Sequence, residues 1–211
     1  VERSRGLGDV YKRQRSCNGI PLIGPNDIVF DTFGGFWFTD HGHTRRRDRD
    51  RGGVFYAKID GSHIQEVISP MDGPNGIGLS PDGSQLYVAE TPTGRLWSFE
   101  IREPGVLQKQ KRIVPWEKGK LIASPEGYHL FDSLALDSLG NICVGSIPGK
   151  IDVFSATGEH VDRIILPDIF PTNICFGGPE LDTALITLSS TGRLISMKWP
   201  TKGLALNFSH A

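Results

Sequence analysis

Four segments of this 211-residue chain follow one template, and this repeat constrains the fold more than any other feature. Each segment opens with a polar residue, continues with alternating apolar positions, turns at Gly, Pro, Asp or Asn, and ends in a second alternating run. The opening residues are Asn26, Asn75, Asp132 and Thr172, so successive repeats are 49, 57 and 40 positions apart. Period-two alternation is typical of strands, and Gly-rich or Asp-Gly turns are typical of hairpins.

Further strands are predicted after each of these pairs. A third strand begins at a glycine in every repeat: Gly53, Gly94, Gly149 and Gly192. A more polar fourth strand is predicted at residues 65–68, 111–114 and 162–165. Four antiparallel strands per repeat at this period predict the blades of an all-β β-propeller. A β-sandwich also has short strands and turns, but it would not repeat a four-strand unit in phase.

Two longer stretches interrupt the repeat. The charged run at 45–51 falls between two strands of the first unit, and its mixed charge predicts a solvated loop. Residues 116–127 fall between the second and third units and are predicted to connect two blades.

The composition is globular and excludes functions that depend on bulk charge. Hydrophobic residues are 38% of the chain, and 23 Lys and Arg residues against 24 Asp and Glu residues give a net charge of -1. A nearly neutral chain has no bulk electrostatic reason to bind nucleic acid or an anionic membrane. No apolar run approaches the roughly 20 residues of a membrane span. The three widely spaced cysteines mildly favour a reducing compartment, and without an apolar signal segment we expect a cytoplasmic protein.

The first residues of the chain differ from the rest. Residues 7–14 resemble translated sequencing-adaptor sequence, which occurs at the ends of assembled fragments. We therefore expect a non-native leader at 1–14 and a single partial propeller domain at 15–211.

The residues that open the four repeats predict a site. In a propeller the first strand of each blade lines the central channel, so equivalent positions on successive blades converge at one mouth. The converging residues are Asn26, Asn75, Asp132 and Thr172. Amide, carboxylate and hydroxyl oxygens suit Ca²⁺ or Mg²⁺ and can also serve Zn²⁺ or Mn²⁺. Asn and Asp also cap turns before strands, but their recurrence at one phase in three of four repeats favours a site.

Four stretches, in their order and phase, resemble the senescence marker protein / gluconolactonase / luciferin-regenerating enzyme family: residues 24–31, 74–83, 87–91 and 173–178. The resemblance extends from about Cys17 to Asn207. It implies a six-bladed propeller, of which about four blades lie in this chain. It also implies one divalent cation at the channel mouth, for which we expect Ca²⁺ ahead of Zn²⁺, Mg²⁺ or Mn²⁺. Most members of the family are lactonases, and similar propellers hydrolyse organophosphates.

The resemblance also implies roles for individual residues. By position, Asn75 and Asp132 correspond to metal ligands, and Asn26 to a residue that contacts substrate in some members and metal in others. A further family ligand, a Glu of the first blade, would precede Cys17. Asp132 is the expected catalytic carboxylate, which can take a proton from water or act as a nucleophile.

Two more residues are expected to contact the substrate. Thr172 opens the fourth repeat. His41 belongs to a His-X-His pair that resembles a metal motif, but the pair follows a predicted strand and is predicted to be a loop from which His41 reaches the substrate.

The sequence therefore predicts a metal-dependent lactonase acting on a small sugar lactone or a related lactone. Two alternatives stay open: an organophosphate hydrolase that uses the same cation, and a non-catalytic propeller that serves as a binding platform. A carboxylate beside two amides favours an enzyme over a platform. The sequence does not distinguish the two hydrolases, because substrate specificity depends on loops and on blades outside this chain.

Overall fold

The computed structural model describes residues 15–111, 114 and 117–208, and every helix or strand in that part of the chain is a β-strand. The predicted leader at 1–14 lies outside the described residues. A short hairpin of β1 (Ser16–Cys17) and β2 (Ile20–Pro21) precedes the first repeat. The described residues include no helix long and apolar enough to cross a membrane.

Four antiparallel sheets follow in chain order. The first contains β3 (Pro25–Phe30), β4 (Gly35–Asp40), β5 (Gly52–Lys58) and β6 (Ile64–Met71). The second contains β7 (Pro74–Leu79), β8 (Gln85–Glu90), β9 (Arg95–Glu103), β10 (Val106–Leu107) and β11 (Lys120–Ala123). The third contains β12 (Leu130–Leu136), β13 (Ile142–Ile147), β14 (Lys150–Phe154) and β15 (His160–Ile165). The fourth contains β16 (Pro171–Gly177), β17 (Thr183–Leu188) and β18 (Arg193–Lys198).

The repeat predicts these strands closely. The first strands of the four sheets begin within two residues of the predicted positions, and each third strand begins at or directly beside its predicted glycine. The charged run at 45–51 lies between β4 and β5, as predicted.

The outer edge of the second sheet differs from the prediction. The outer strand was expected at 111–114, of which residues 112 and 113 lie outside the described part of the chain. Instead, β10 pairs with the far end of β9, and β11 pairs with its remaining edge at Leu96–Ser98. Residues 116–127 thus lie between the second and third sheets as predicted, but part of this connection, β11, also supplies backbone hydrogen bonds to an edge that β10 leaves open.

Apolar side chains fill the space between neighbouring sheets. Trp37 and Tyr56 of the first sheet share a buried cluster with Trp97 of the second. A second cluster joins the second and third sheets, and a third joins the third and fourth sheets. Each sheet therefore packs face to face with the next sheet along the chain. This is the arrangement of propeller blades, so the predicted fold is confirmed.

The inner strands β3, β7, β12 and β16 contact one another in that order. Their amino ends define what we call the mouth face. The antiparallel ladders pair Pro25 with Asp40 and Pro74 with Glu90. The loop between β4 and β5 and the turn between β8 and β9 therefore also lie on the mouth face.

Candidate functional site

The mouth face brings Asn75 of β7 and Asp132 of β12 together. Asn75 Nδ2 donates to Thr91 Oγ1 at 3.1 Å. The amide also interacts with the Asp132 carboxyl, where it opposes the rise in pKa that burial causes. Asn75 is 4% exposed, and its buried Oδ1 has no hydrogen-bond partner among the described residues. Leaving a buried amide oxygen without a partner costs free energy. This oxygen is therefore a candidate ligand atom.

A second carboxylate, Asp27 of β3, lies beside Asp132. Asp27 Oδ1 accepts a hydrogen bond from Ile28 N at 2.9 Å, and Oδ2 accepts one from Ile77 N at 3.2 Å. Burial raises the pKa of Asp27 to about 6; the two backbone hydrogen bonds oppose the shift, and the Asp132 charge adds to it. The sequence reasoning missed Asp27, although it directly follows Asn26.

The pKa of Asp132 is shifted in the same direction. Burial raises the pKa of Asp132, while the Ser133 backbone N–H at 3.0 Å, the Asn75 amide and nearby His41 oppose the rise. Burial thus disfavours the ionised form of both carboxyls. A bound divalent cation would favour the ionised forms.

A register shift recurs at the start of three inner strands, and it explains why the alternation of side chains did not predict Asp27 as a site residue. The ladder between the first two strands shifts register between Pro25 and Ile28, between Pro74 and Ile77, and between Phe131 and Leu134. A bulge adds a residue and re-aims side chains, and such bulges occur often next to active sites. Simple alternation therefore fails at these strand starts. The sequence signal for Asp27 was two adjacent Asx residues at the start of a strand.

Buried Thr39 fixes the spacing of two inner strands. Its hydroxyl donates to the Asn75 carbonyl at 2.7 Å and accepts from the Asp27 N–H at 3.1 Å. Asp40, also buried, accepts hydrogen bonds from Ile23 N and Gly24 N, both at 2.7 Å. These contacts hold the start of β3, and therefore Asn26 and Asp27, against the second strand of the same sheet.

His41 lies in the loop after β4, as predicted. Its Nδ1 is 3.0 Å from the Gly42 carbonyl. Because a carbonyl can only accept, Nδ1 carries the proton in this contact. His41 is close enough to Asp132 to lower the pKa of that carboxyl.

No hydrogen bond among the described residues joins the other two predicted residues to Asn75 or Asp132. Asn26 is exposed, and no side-chain hydrogen bond within the described part of the chain involves it. The Thr172 hydroxyl is 2.9 Å from the Thr187 hydroxyl of its own sheet. The substrate and metal roles of these residues stay predictions.

The donor set fits a hard divalent cation. No group of three or more His, Cys, Asp and Glu side chains in the described ranges could hold a metal ion. The candidate donors are instead the unpartnered Oδ1 of Asn75 and the carboxylate of Asp132, with Asp27 adding negative charge beside them. Oxygen donors of this kind are those that Ca²⁺ and Mg²⁺ prefer.

Residues 7–190 match the family described as SMP-30/gluconolactonase/LRE-like region. The chain belongs to this family. The match covers all four inner strands and includes Asn26, Asn75 and Asp132.

Relatives in the family have enzyme names. Lactonase drp35 of Staphylococcus haemolyticus is 34% identical over 145 residues, which are 67% of this chain and 42% of the relative. 6-Deoxy-6-sulfogluconolactonase of Pseudomonas putida is 30% identical over 187 residues, or 84% of this chain and 59% of the relative. Diisopropyl-fluorophosphatase of Loligo vulgaris is 30% identical over 203 residues, or 90% and 62%. The chain therefore spans about half the length of the curated relatives it matches.

Solved structures show the same fold. A gluconolactonase of Xanthomonas campestris superposes with a TM-score of 0.71 at 27% identity, covering 88% of this chain and 60% of that one. Regucalcin of Agrobacterium tumefaciens, described as a calcium-binding protein, gives a TM-score of 0.72 at 20% identity, covering 89% and 65%.

Proposed function

We propose that the protein is a metal-dependent hydrolase of small-molecule lactones. The observation that carries the proposal is the buried Asn75 amide next to the Asp132 carboxyl on the mouth face, with Asp27 beside Asp132. The Asn75 Oδ1 has no hydrogen-bond partner in the described part of the chain. Family membership supports it, as do two relatives whose names describe lactonases.

In this proposal Asn75 and Asp132 hold the cation, for which Ca²⁺ is the expected ion, and Asn26 is a further contact to the cation or the substrate. A bound divalent cation polarises the carbonyl of an ester and stabilises negative charge that develops on its oxygen. Asp132 is the catalytic carboxylate. It accepts a proton from the water that attacks the carbonyl carbon, or attacks that carbon itself to give an acyl-aspartate that water then hydrolyses. In both routes the ring C–O bond breaks and the departing ring oxygen takes up a proton.

The surroundings of Asp132 suit this role. Burial raises the pKa of the Asp132 carboxyl, so the carboxyl retains a proton that it accepts from the attacking water more readily than an exposed carboxyl would. Its neighbour Phe131 is fully buried and keeps bulk water from that side of the strand. His41 and Thr172 are proposed to contact the substrate from the mouth face.

A second candidate is hydrolysis of an organophosphate. The similarity to diisopropyl-fluorophosphatase over 90% of this chain favours it, and a phosphoryl centre can be attacked by the same carboxylate. Turnover of D-glucono-1,5-lactone and of diisopropyl fluorophosphate, measured side by side with added Ca²⁺, separates the two functions. Binding of either compound without turnover would instead favour a binding platform.

We expect the affinity of the protein for Ca²⁺ to rise between about pH 5 and pH 7, since protons and the cation compete for the same carboxylates. Asp27, with a pKa near 6, and Asp132, with a raised pKa, are protonated on the acid side and ionised on the alkaline side. Affinity is therefore lost as the pH falls through these values and levels off above them. Calorimetric titration in buffers of different ionisation enthalpy would also detect the released protons. An affinity that is flat across this range contradicts the assignment.

Asn75→Ala is expected to weaken Ca²⁺ binding by at least about tenfold. The substitution removes an uncharged donor and leaves the proposed base in place, so excess cation should restore part of the lactone turnover. Asn207→Ala, which removes an exposed amide that bonds to the Phe30 carbonyl, is the matched control. If the activity of Asn75→Ala does not respond to cation concentration, Asn75 is not a ligand.

A further inference from the structure

Arg49, in the loop between β4 and β5, has no counter-ion among the residues that the structure describes. Its Nε is buried and has no hydrogen-bond partner, and no ion pair of the described residues includes it. Neighbouring arginines differ. Arg45 forms two hydrogen bonds to Asp50, at 2.7 and 2.9 Å, and Arg51 pairs with Asp72 at 3.0 Å. Asp50 and Asp72 are thus paired with Arg45 and Arg51 rather than with Arg49.

The Arg49 guanidinium lies over Gly73, two residues before Asn75. A Cβ built on Gly73 would overlap Arg49 Nη2 and would lie 3.1 Å from His41 Nε2. Gly73 has a φ of +59°, a region that favours glycine. The missing side chain leaves room for the guanidinium. Arg49 and His41 therefore flank one point of the mouth face, and His41 is in turn near Asp132.

We propose that Arg49 binds an anionic group of the substrate. This inference rests on the proposed function and narrows the substrate class to acidic lactones, which carry a phosphate, sulfonate or carboxylate away from the ring carbonyl. A planar guanidinium binds such groups through paired, charge-assisted hydrogen bonds. A half-buried cation without a counter-ion is costly, and an anionic substrate supplies that counter-ion.

The loop geometry supports a fixed binding group. Thr44 and Arg49 form an antiparallel bridge, and the bonds from Arg45 to Asp50 close the same loop. The backbone of Arg49 is therefore held in place, while no ion pair within the described ranges engages its side chain. A pre-positioned cation loses less entropy on binding than a freely rotating one.

Matched substrates provide the test. D-Glucono-1,5-lactone is compared with the same ring carrying a phosphate, a sulfonate or a carboxylate at carbon 6. For each protein, kcat/KM is measured for the anionic and for the neutral lactone on one sample, and the two values are divided. An unfolded fraction lowers both values equally, so it does not change their ratio. Arg49→Met is expected to lower this ratio for at least one anion by about tenfold or more, mainly through KM. Arg49→Lys should retain part of the ratio, and Arg47→Met, in the same loop but exposed, should retain all of it.

The outcomes separate this inference from the proposed function. An Arg49→Met ratio equal to that of the wild type for all three anions overturns the inference, while turnover of the neutral lactone still supports a lactonase. If no lactone is hydrolysed, the proposed function fails and binding decides the inference. In that case, calorimetric titration with 6-phosphogluconate should show at least tenfold weaker binding to Arg49→Met than to Arg47→Met, and equal affinities overturn the inference.

Discussion

Asp132→Asn is expected to lower lactone turnover by about a thousandfold or more without unfolding the protein. The amide keeps the size and an oxygen donor, but it removes the base and one negative charge. Proton transfer by a positioned side chain typically contributes about 10²- to 10⁴-fold to a rate, and the lost charge also weakens the cation site. Because burial already disfavours the ionised carboxyl, a neutral amide at this position should not reduce the melting temperature.

A Ca²⁺ titration distinguishes whether Asp132 acts as the catalytic base or only as a metal ligand. Turnover of Asp132→Asn should stay low at saturating Ca²⁺, in contrast to that of Asn75→Ala. Asp162→Asn makes the same chemical change on the exposed strand β15 and should behave like the wild type. Near-wild-type turnover of Asp132→Asn at saturating cation would mean that Asp132 is at most a ligand.

Gly76→Ala is expected to destabilise the protein and to weaken the cation site together. A Cβ on Gly76 would lie 2.7 Å from the Asp132 carbonyl oxygen and 2.7 Å from Leu134 N. Both are backbone atoms, so no side chain can rotate to relieve the overlap. Strands β7 and β12 must separate where they carry Asn75 and Asp132. Overpacking of this kind costs about 1–3 kcal/mol, and we expect at least tenfold weaker Ca²⁺ binding.

Thermal unfolding and calorimetric Ca²⁺ titration measure the two effects of Gly76→Ala. Gly177→Ala is the matched control on inner strand β16, because among the described residues its Cβ would meet only Leu185 Cδ1, at an ordinary 3.5 Å. Equal melting temperatures and Ca²⁺ affinities for the two variants would show that the close approach of β7 and β12 does not control the site.

The sequence predicted the blades because their causes are local. Alternating side chains, Asp-Gly or Gly-rich turns and a glycine before each third strand depend on short stretches of chain. The same repeat predicted that Asn75 and Asp132 would converge, since equivalent positions of successive blades share one channel mouth. The outer edge of the second sheet was not predictable in this way. Strand β11 exists because a distant segment fills an edge of β9 that β10 leaves open.

The site itself shows where local patterns stop being informative. Asp27 looked like an ordinary strand residue, but a bulge and the approach of β7 place its carboxyl against Ile77 N and beside Asp132. Arg49 belonged to a run predicted to be solvated, yet the loop folds back over Gly73 and buries its Nε.

The sequence by itself thus determined the all-β class, the repeat phase and the meeting of Asn75 and Asp132 on the mouth face. Only the tertiary structure decided which atoms lack partners and which carboxyls lie together. The physical reason is that hydrogen bonding of a strand residue and alternation of its side chains depend on near neighbours. The burial and pKa of the Asp27 and Asp132 carboxyls, and the environment of the Arg49 guanidinium, depend on contacts between segments that are far apart in sequence.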